Sequence, residues 1–392
     1  MTPKKIMISL FTRTLLLLMV PSVVFISCDT NHIILEPKYG YGWKTVERPY
    51  WPTQAWQTAP MDEHDISAEK MRIADEFAAN DQYARALLVV KDGYLVFEKY
   101  YGDGGVDQST NLWSVTKSFS SALVGILMDE YFVSSTNQRM ADLMPDYPEF
   151  QDITLHHALT HTTGLDWQET GLPWVQWVFS PDWVTSALAR GQDHRPGKKF
   201  KYSSGNSHFL TSLVQTKTGI APGMLAKEHL FDPMGIPFTI LDLPITYYNW
   251  DDYKRPLHQT WRKDTKGIET AGFGLYLTAR HMAKLGYLYL NKGRWEDQQL
   301  LSESWVESSV REYQTNIYDR YSYGYQWWIT SIAGYPSFLA SGWGGQIIGI
   351  VPSLDLVVVL KYEAEGAVDP VSGTAHDDIR LFELVVEAVN QD

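Results

Sequence analysis

The stretch "LWSVTKSFSSALVG", Leu112–Gly125, combines a serine and a lysine at helical spacing with an apolar run. Ser114 is followed three residues later by Lys117, and an apolar run with helical spacing comes next. Side chains at positions i and i+3 share one face of a helix, so the Lys117 ammonium can reach the Ser114 hydroxyl. Ser114 therefore has two interpretations: it caps the helix, or it is a nucleophile whose base lies one turn away.

The surroundings of Lys117 distinguish this S-x-x-K from a second one, Ser67–Lys70. At Ser67 a helix cap explains the pattern, and Lys70 is expected to be solvated. Lys117 instead enters the apolar run "FSSALVGIL", which we expect to be buried. Because an unpaired buried charge is costly, Lys117 needs a polar partner. The candidate partner is Tyr202 in "KFKYSSGN".

Composition bounds the possible functions. The chain has 392 residues, of which 44% are hydrophobic and 20% charged, as in ordinary globular proteins. Its net charge of −13 argues against a nucleic-acid partner, because phosphate binding needs a basic face. Cys28 is the one cysteine, so no internal disulfide forms.

The N-terminus has the features of an export signal. Basic residues precede the apolar run Thr14–Ser27, which is too short to span a bilayer. The run ends in "FISC" and resembles a bacterial lipoprotein signal, residues 1–27, with Cys28 lipidated as the first mature residue. A plain secretory signal is the alternative. We expect an exported protein of the cell envelope that contacts the membrane only through this lipid anchor.

The rest of the chain predicts a tether and one domain. Residues 28–60 are rich in Pro, Trp and Tyr without a clear period and are interpreted as a tether, and residues 61–392 as the domain. Two β-rich runs joined at Asp92-Gly93 predict a hairpin, and further strands come late in the chain. Between them lies a mostly helical insertion, at about 130–260. This order predicts an α+β fold with one antiparallel sheet from N- and C-terminal segments, flanked by helices.

Taken together, these motifs resemble the β-lactamase-related serine hydrolases. That group includes class C β-lactamases, DD-peptidases, esterases and 6-aminohexanoate-dimer hydrolases, which share the β-lactamase/transpeptidase-like fold. The resemblance covers about residues 60–392. It rests on Ser114-x-x-Lys117, "LTHTTGLDW" (Leu159–Trp167), Tyr202 at the Y-x-N position, "AGFGLYLTARHMAKLG" (Ala271–Gly286) and the glycine-rich strand near Gly345.

The resemblance implies roles for these residues. Ser114 would be the acylated nucleophile, and Lys117 and Tyr202 would share the base and acid work as a coupled pair. The backbone N–H groups of Ser114 and Trp343 would form the oxyanion hole. The resemblance implies no metal and no cofactor.

The third motif of the group is K-T-G or H-[ST]-G on a strand beside the nucleophile. A literal Lys217-Thr218-Gly219 ends a helical run, where Gly219 is expected to be a C-terminal cap. The better match is Ala340-Ser341-Gly342, which lies between β-rich runs. The substrate-binding candidates are therefore Ser204, Asn206, Ser341, Gly342, Gly344, Gly345 and Trp167, although core packing explains Trp167 equally well.

Two departures from the group's pattern narrow the function. The cation of the third motif is replaced by Ala340, and a lost charge-assisted contact is worth roughly 1.5–3 kcal/mol. The Asn of Y-x-N is replaced by Ser204, with Asn206 two residues later. The lost cation disfavours a dedicated β-lactamase or DD-carboxypeptidase, and the replaced Asn weakens the case for positioning an amide substrate. Both departures are more similar to the esterase and aminohexanoate-hydrolase branch.

The sequence thus predicts a serine hydrolase acting on a small ester or amide, or on a peptide-like substrate. It would be more similar to the esterases and aminohexanoate hydrolases than to β-lactamases. Two alternatives stay open. A penicillin-binding or peptidoglycan-sensing module would acylate without turnover, and an acyltransferase would pass the acyl group to an alcohol.

Overall fold

The computed structural model describes residues 40–242, 257–364 and 378–389, except the single positions 45 and 319. The predicted signal segment and Cys28 lie outside the described residues. The helices are α1 (Ala68–Ala79), α2 (Thr116–Asp129), α3 (Met140–Leu143), α4 (Leu155–Leu159), α5 (Gly171–Val178), α6 (Trp183–Leu188), α7 (Ser204–Thr218), α8 (Pro222–Ala226), α9 (Ala279–Leu290), α10 (Glu303–Ser309) and α11 (Asp378–Ala388). The strands are β1 (Ala84–Lys91), β2 (Tyr94–Tyr100), β3 (Thr110–Asn111), β4 (Thr260–Trp261), β5 (Leu275–Leu277), β6 (Arg294–Trp295), β7 (Gln298–Gln299), β8 (Gln314–Ile317), β9 (Tyr321–Tyr323), β10 (Trp328–Ile332), β11 (Tyr335–Gly342), β12 (Gln346–Val351) and β13 (Leu356–Tyr362).

One antiparallel sheet of eight strands organises the domain, in the order β2-β1-β13-β12-β11-β10-β9-β8. The predicted hairpin at Asp92-Gly93 joins β1 and β2. Strand β1 also pairs with β13, with Ala84 opposite Tyr362 and Lys91 opposite Leu356. The sheet is therefore built from both ends of the domain, and the predicted α+β class is confirmed.

The strands at the centre of the sheet are buried on both faces. In β13, Val357 and Val359 contact the same core as α2 and α9. Their neighbours Leu356, Val358 and Leu360 point to the other face, where α1 and α11 pack. Because side chains alternate along a strand, a strand covered on both sides reads as a continuous apolar run.

Helix α2 carries the Ser114 segment into the interior. All of its residues from Thr116 to Leu127 are buried. Two of its three serines donate hydrogen bonds inside the core: Ser118 donates to the Gln326 carbonyl at 2.7 Å, and Ser120 donates to the Thr116 carbonyl at 3.1 Å. Buried hydroxyls need such partners, so α2 is fixed by hydrogen bonds as well as by packing.

The tether interpretation of residues 28–60 needs correction, because the described part from Gly40 onward packs on the domain. Tyr41 is buried and donates from its hydroxyl to the Val310 carbonyl at 2.8 Å. Arg48 makes two hydrogen bonds of 2.6 Å to Asp355, and the side chains of this ion pair are each 3% exposed. We call residues 40–60 the N-terminal strap. Within the described residues, no helix combines the length and hydropathy that a membrane span requires.

A substitution at Gly286 tests how closely α9 packs against the sheet. A Cβ atom at this position would lie 2.5 Å from Val357 Cγ1 and 2.8 Å from Ile348 Cγ2. We expect Gly286→Val to lower the free energy of unfolding by about 1–3 kcal/mol, as overpacked cores do. Ala79→Val, at an exposed position of α1, should change it by less than about 0.5 kcal/mol. Urea unfolding followed by fluorescence measures both, and equal effects would contradict the close packing.

Candidate active site

Ser114 lies in a 3₁₀ turn, Trp113–Val115, immediately before α2. Trp113 has a φ of +49°, in the left-handed region that residues other than glycine seldom adopt. The Asn111 side-chain carbonyl holds this turn by accepting from the Trp113 N–H at 2.9 Å and from the Gly274 N–H at 3.1 Å. The strained turn is therefore fixed to the segment that leads into β5.

Lys117 joins three segments of the chain. Its Nζ lies 2.9 Å from Ser114 Oγ, 3.1 Å from Ser204 Oγ and 2.9 Å from the carbonyl oxygen of Gly272. The side chain is almost fully buried. Burial lowers the pKa of Lys117 to about 8, although the nearby Glu169 carboxylate acts in the opposite direction. A lysine with this pKa carries a useful neutral fraction near physiological pH.

Tyr202 covers the same ammonium group. Lys117 Nζ lies 4.7 Å from the centre of the Tyr202 ring, which stacks on Trp328 at 5.5 Å between centroids. Burial raises the pKa of Tyr202 well above its usual value, and the Glu169 carboxylate adds to the rise, while a contact with Ser114 opposes it. Tyr202 therefore keeps its proton, and Lys117 is the group that is easier to deprotonate.

Ser204 takes the position that the Y-x-N pattern gives to Asn. Besides its contact with Lys117, it donates its hydroxyl proton to Glu169 Oε1. Its backbone N–H donates to Glu169 Oε2 at 2.8 Å. The indole N–H of Trp167 donates to that same oxygen at 2.5 Å. Glu169 is thus held by three donors at the edge of the Lys117 contacts.

Two other predicted residues lie away from these contacts. Asn206 is buried, and its side-chain oxygen accepts from Thr163 Oγ1 at 3.0 Å rather than from Lys117. Trp167 is buried edge-on against Trp177, 5.0 Å between centroids, so its ring is packed in the core. Trp167 was interpreted either as a substrate-binding residue or as a core residue, and the structure favours the core. Its indole N–H still donates to Glu169.

The end of β11 lies directly beside the Ser114 turn. A Cβ atom on Gly342 would lie 2.3 Å from the Leu112 carbonyl oxygen and 3.1 Å from the Ser114 nitrogen. Only a residue without a side chain allows this approach. Ser341 precedes it and is partly exposed, whereas Ala340 is buried and paired with Ile348 of β12.

The remaining glycine candidates shape the turn after β11. Gly344 and Gly345 have φ angles of +76° and +84°, and Cβ atoms there would press on Ala364 and Tyr362. They are therefore turn residues that pack toward β13. The literal Lys217-Thr218-Gly219 ends α7, with Gly219 as a left-handed cap, so the prediction that it is not the third motif agrees with its place in the fold.

Sequence reasoning missed three members of this site: Glu169, Gly272 and Trp328. Glu169 lies two positions after "LTHTTGLDW", and its closeness to Trp167 was the signal available in the sequence. Gly272 lies within "AGFGLYLTARHMAKLG". Trp328 carried none. Within the described ranges, no group of three or more His, Cys, Asp or Glu side chains is arranged to hold a metal ion.

The family is settled by comparison with known proteins. The family model described as Beta-lactamase matches residues 73–375. The chain belongs to the Beta-lactamase family. This β-lactamase-family protein is 24% identical over 303 residues to the 6-aminohexanoate-dimer hydrolase of Paenarthrobacter ureafaciens, covering 70% of this chain and 71% of that one.

Solved structures show the same fold in this β-lactamase-family protein. A family VIII carboxylesterase superposes with a TM-score of 0.61 at 19% identity, over 82% of this chain and 98% of the other. The penicillin-binding protein from Bacillus halodurans gives a TM-score of 0.60 at 18% identity, over 82% and 100%. The predicted β-lactamase/transpeptidase-like fold is thereby confirmed.

The lowered pKa of Lys117 is open to direct measurement. We expect its ε-carbon resonance, in protein with ¹³C-labelled lysines, to titrate near pH 8, because burial disfavours the charged form. Lys117→Met identifies the resonance by its disappearance. A Lys117 resonance that titrates at the ordinary lysine value of ~10.4 would contradict the lowered pKa.

Proposed function

We propose that the protein is a serine hydrolase that cleaves an ester or amide through an acyl-Ser114 intermediate. The observation that carries this proposal is the position of Lys117. It is a buried amine with a lowered pKa that lies 2.9 Å from the Ser114 hydroxyl and has two further fixed contacts. A serine hydroxyl becomes an effective nucleophile when an adjacent base removes its proton.

In the acylation step, Ser114 Oγ attacks the carbonyl carbon of the substrate and its proton passes to Lys117. The carbonyl oxygen gains the negative charge, and the backbone N–H groups of Ser114 and Trp343 would stabilise it. The packing of Gly342 against the Leu112 carbonyl supports this assignment, since it places the end of β11 beside Ser114. The carbon–oxygen or carbon–nitrogen bond then breaks, and Tyr202 and Lys117 return a proton to the leaving group.

Deacylation repeats the step with water as the nucleophile. The same amine accepts a proton from water, hydroxide adds to the acyl carbon, and Ser114 Oγ leaves with a proton. The product is a carboxylic acid, and the free enzyme is regenerated. An alcohol in place of water would give a new ester, which is how an acyltransferase would use the same residues.

Charges around the site favour substrates without a carboxylate near the scissile bond. Ala340 offers no cation at the position where, by the resemblance described above, the β-lactam and peptidase branches carry one. Glu169 adds a carboxylate that hydrogen-bonds to Ser204, next to Lys117. A substrate carboxylate would meet the like charge of Glu169 and would lack the cation that Ala340 replaces, so neutral acyl esters suit this site better than β-lactams.

Ser114→Ala tests the nucleophile. We expect p-nitrophenyl acetate and butyrate to be turned over by the wild type, and kcat/KM to fall at least ~10³-fold in Ser114→Ala, as when other serine nucleophiles are removed. Nitrocefin should be cleaved far more slowly than the esters. Ser67→Ala is the matched control, because Ser67 belongs to the second S-x-x-K but only caps α1, accepting from the Lys70 N–H at 3.3 Å. It should keep full activity.

The same assay separates the alternatives. Ester turnover that survives Ser114→Ala would contradict the mechanism. A single burst of p-nitrophenol with a stable acyl mass on the protein would indicate a penicillin-binding or sensing module. Ester formation from an added alcohol, at the expense of acid, would indicate an acyltransferase. Fast nitrocefin turnover would contradict the meaning given to Ala340.

The pH dependence follows from Lys117. The neutral amine is the base, and its fraction rises as pH rises through its pKa of about 8. We expect kcat/KM for p-nitrophenyl acetate, corrected for spontaneous hydrolysis, to rise through an acid limb near pH 8 and then level off. An activity that is flat between pH 6 and pH 9, or that falls across that range, would contradict Lys117 as the base.

A further inference from the structure

Glu169 is the charged group that joins the Lys117 site from outside the expected motif. Its Oε1 accepts the hydroxyl proton of Ser204, and its Oε2 accepts the Ser204 backbone N–H and the Trp167 indole N–H. Trp167 is held in turn, because the Arg190 guanidinium lies 4.4 Å above its ring and a Cβ atom at Gly205 would lie 2.6 Å from it. The carboxylate therefore has a fixed position.

The direction of the Ser204 proton decides the direction of the Lys117 lone pair. Because the Ser204 proton is donated to Glu169, Ser204 Oγ faces Lys117 as an acceptor. The Gly272 carbonyl can only accept. A neutral lysine amine has two protons, and these two acceptors use both. Its lone pair then points to the third hydrogen-bonding neighbour, the hydroxyl of Ser114 at 2.9 Å.

We propose that Glu169 is a positioning residue: by fixing the Ser204 hydroxyl as an acceptor, it aims the Lys117 lone pair at Ser114. This inference rests on the proposed function and deepens it, since it names what orients the base. Without the carboxylate, Ser204 is able to turn and donate its proton to Lys117. The amine would then be hydrogen-bonded to the wrong hydroxyl.

Glu169 also acts on Lys117 through its charge. Its carboxylate favours the ammonium form of Lys117, against the effect of burial. Among the described residues, Tyr202, across whose ring the amine lies, and His161 are titratable groups close to Lys117. Tyr318 and Tyr323 are close to Glu169, and burial, with a smaller effect of its carboxylate, raises the pKa of both. Burial and the Lys117 charge both lower the pKa of His161, so its ring is neutral; Tyr202 is neutral as well. Arg190, above Trp167, is a further cation near Glu169.

Glu169→Gln separates the two effects of the carboxylate. The amide oxygen is expected to take the place of Oε2, because two N–H groups point there, which leaves the NH₂ group facing Ser204 Oγ. Ser204 then donates to Lys117, and we expect kcat/KM for p-nitrophenyl acetate to fall by about 10–100-fold. The acid limb of the pH profile should move to lower pH, because the ammonium loses a neighbouring negative charge.

Further variants distinguish positioning from a purely structural role. Ser204→Ala should lower kcat/KM and keep the acid limb of the wild type, since the carboxylate stays. Adding Glu169→Gln to Ser204→Ala should shift the limb and cause no further loss of rate, because coupled residues are not additive. Glu169→Asp keeps the negative charge, so the acid limb of its pH profile should stay at the wild-type pH. These two single variants keep the inference testable if Glu169→Gln fails to fold in a thermal unfolding assay.

Asp166→Asn is the matched control. This carboxylate lies three residues upstream, is exposed and contacts Lys201 at 3.2 Å. Asp166→Asn should leave both kcat/KM and the acid limb of the pH profile unchanged. If Ser114→Ala is inactive but Glu169→Gln keeps the kcat/KM and the acid limb of the wild type, the positioning role of Glu169 is overturned. The proposed function would then stand. Activity that survives Ser114→Ala would overturn the proposed function and this inference together.

Discussion

The burial of the Lys117 amine is the constraint on which the rest of the site depends. An amine removed from water must find its hydrogen-bond partners within the protein. Here they come from the turn before α2, from the start of α7 and from the segment before β5. The small residues at these points follow from that requirement. A Cβ atom on Gly272, for example, would lie 2.8 Å from the Cβ of Ser204.

Local chemistry explains why part of this site was visible in the sequence. The contact between Ser114 and Lys117 follows from one turn of helix, and the apolar run after them showed that the amine would be buried. The order of the motifs placed Tyr202 nearby. The partner of Ser204 could not be predicted, because Glu169 lies 35 positions away and meets it only through the fold.

The packing of the N-terminal strap on the domain could not be predicted from the sequence either. Helices and strands reveal their buried faces through a period, but an irregular segment that packs on a core has none. Trp56 is buried and donates its indole N–H to the Arg280 carbonyl at 3.1 Å, yet its surroundings look like a linker. Arg48 and Asp355 are far apart in the chain, and removing one partner of such a buried ion pair typically costs about 3–5 kcal/mol. The domain is therefore larger than its periodic part.

The pairing of β1 with β13 joins two strands that are synthesised at different times. During synthesis β1 leaves the ribosome early, whereas its partner at the centre of the sheet is among the last segments to be made. Contacts between such distant segments form slowly, and an unpaired strand edge is open to other chains in the meantime. Until β13 has been made, β2 is the one neighbour of β1 in this sheet that exists, and the other edge of β1 has no partner strand.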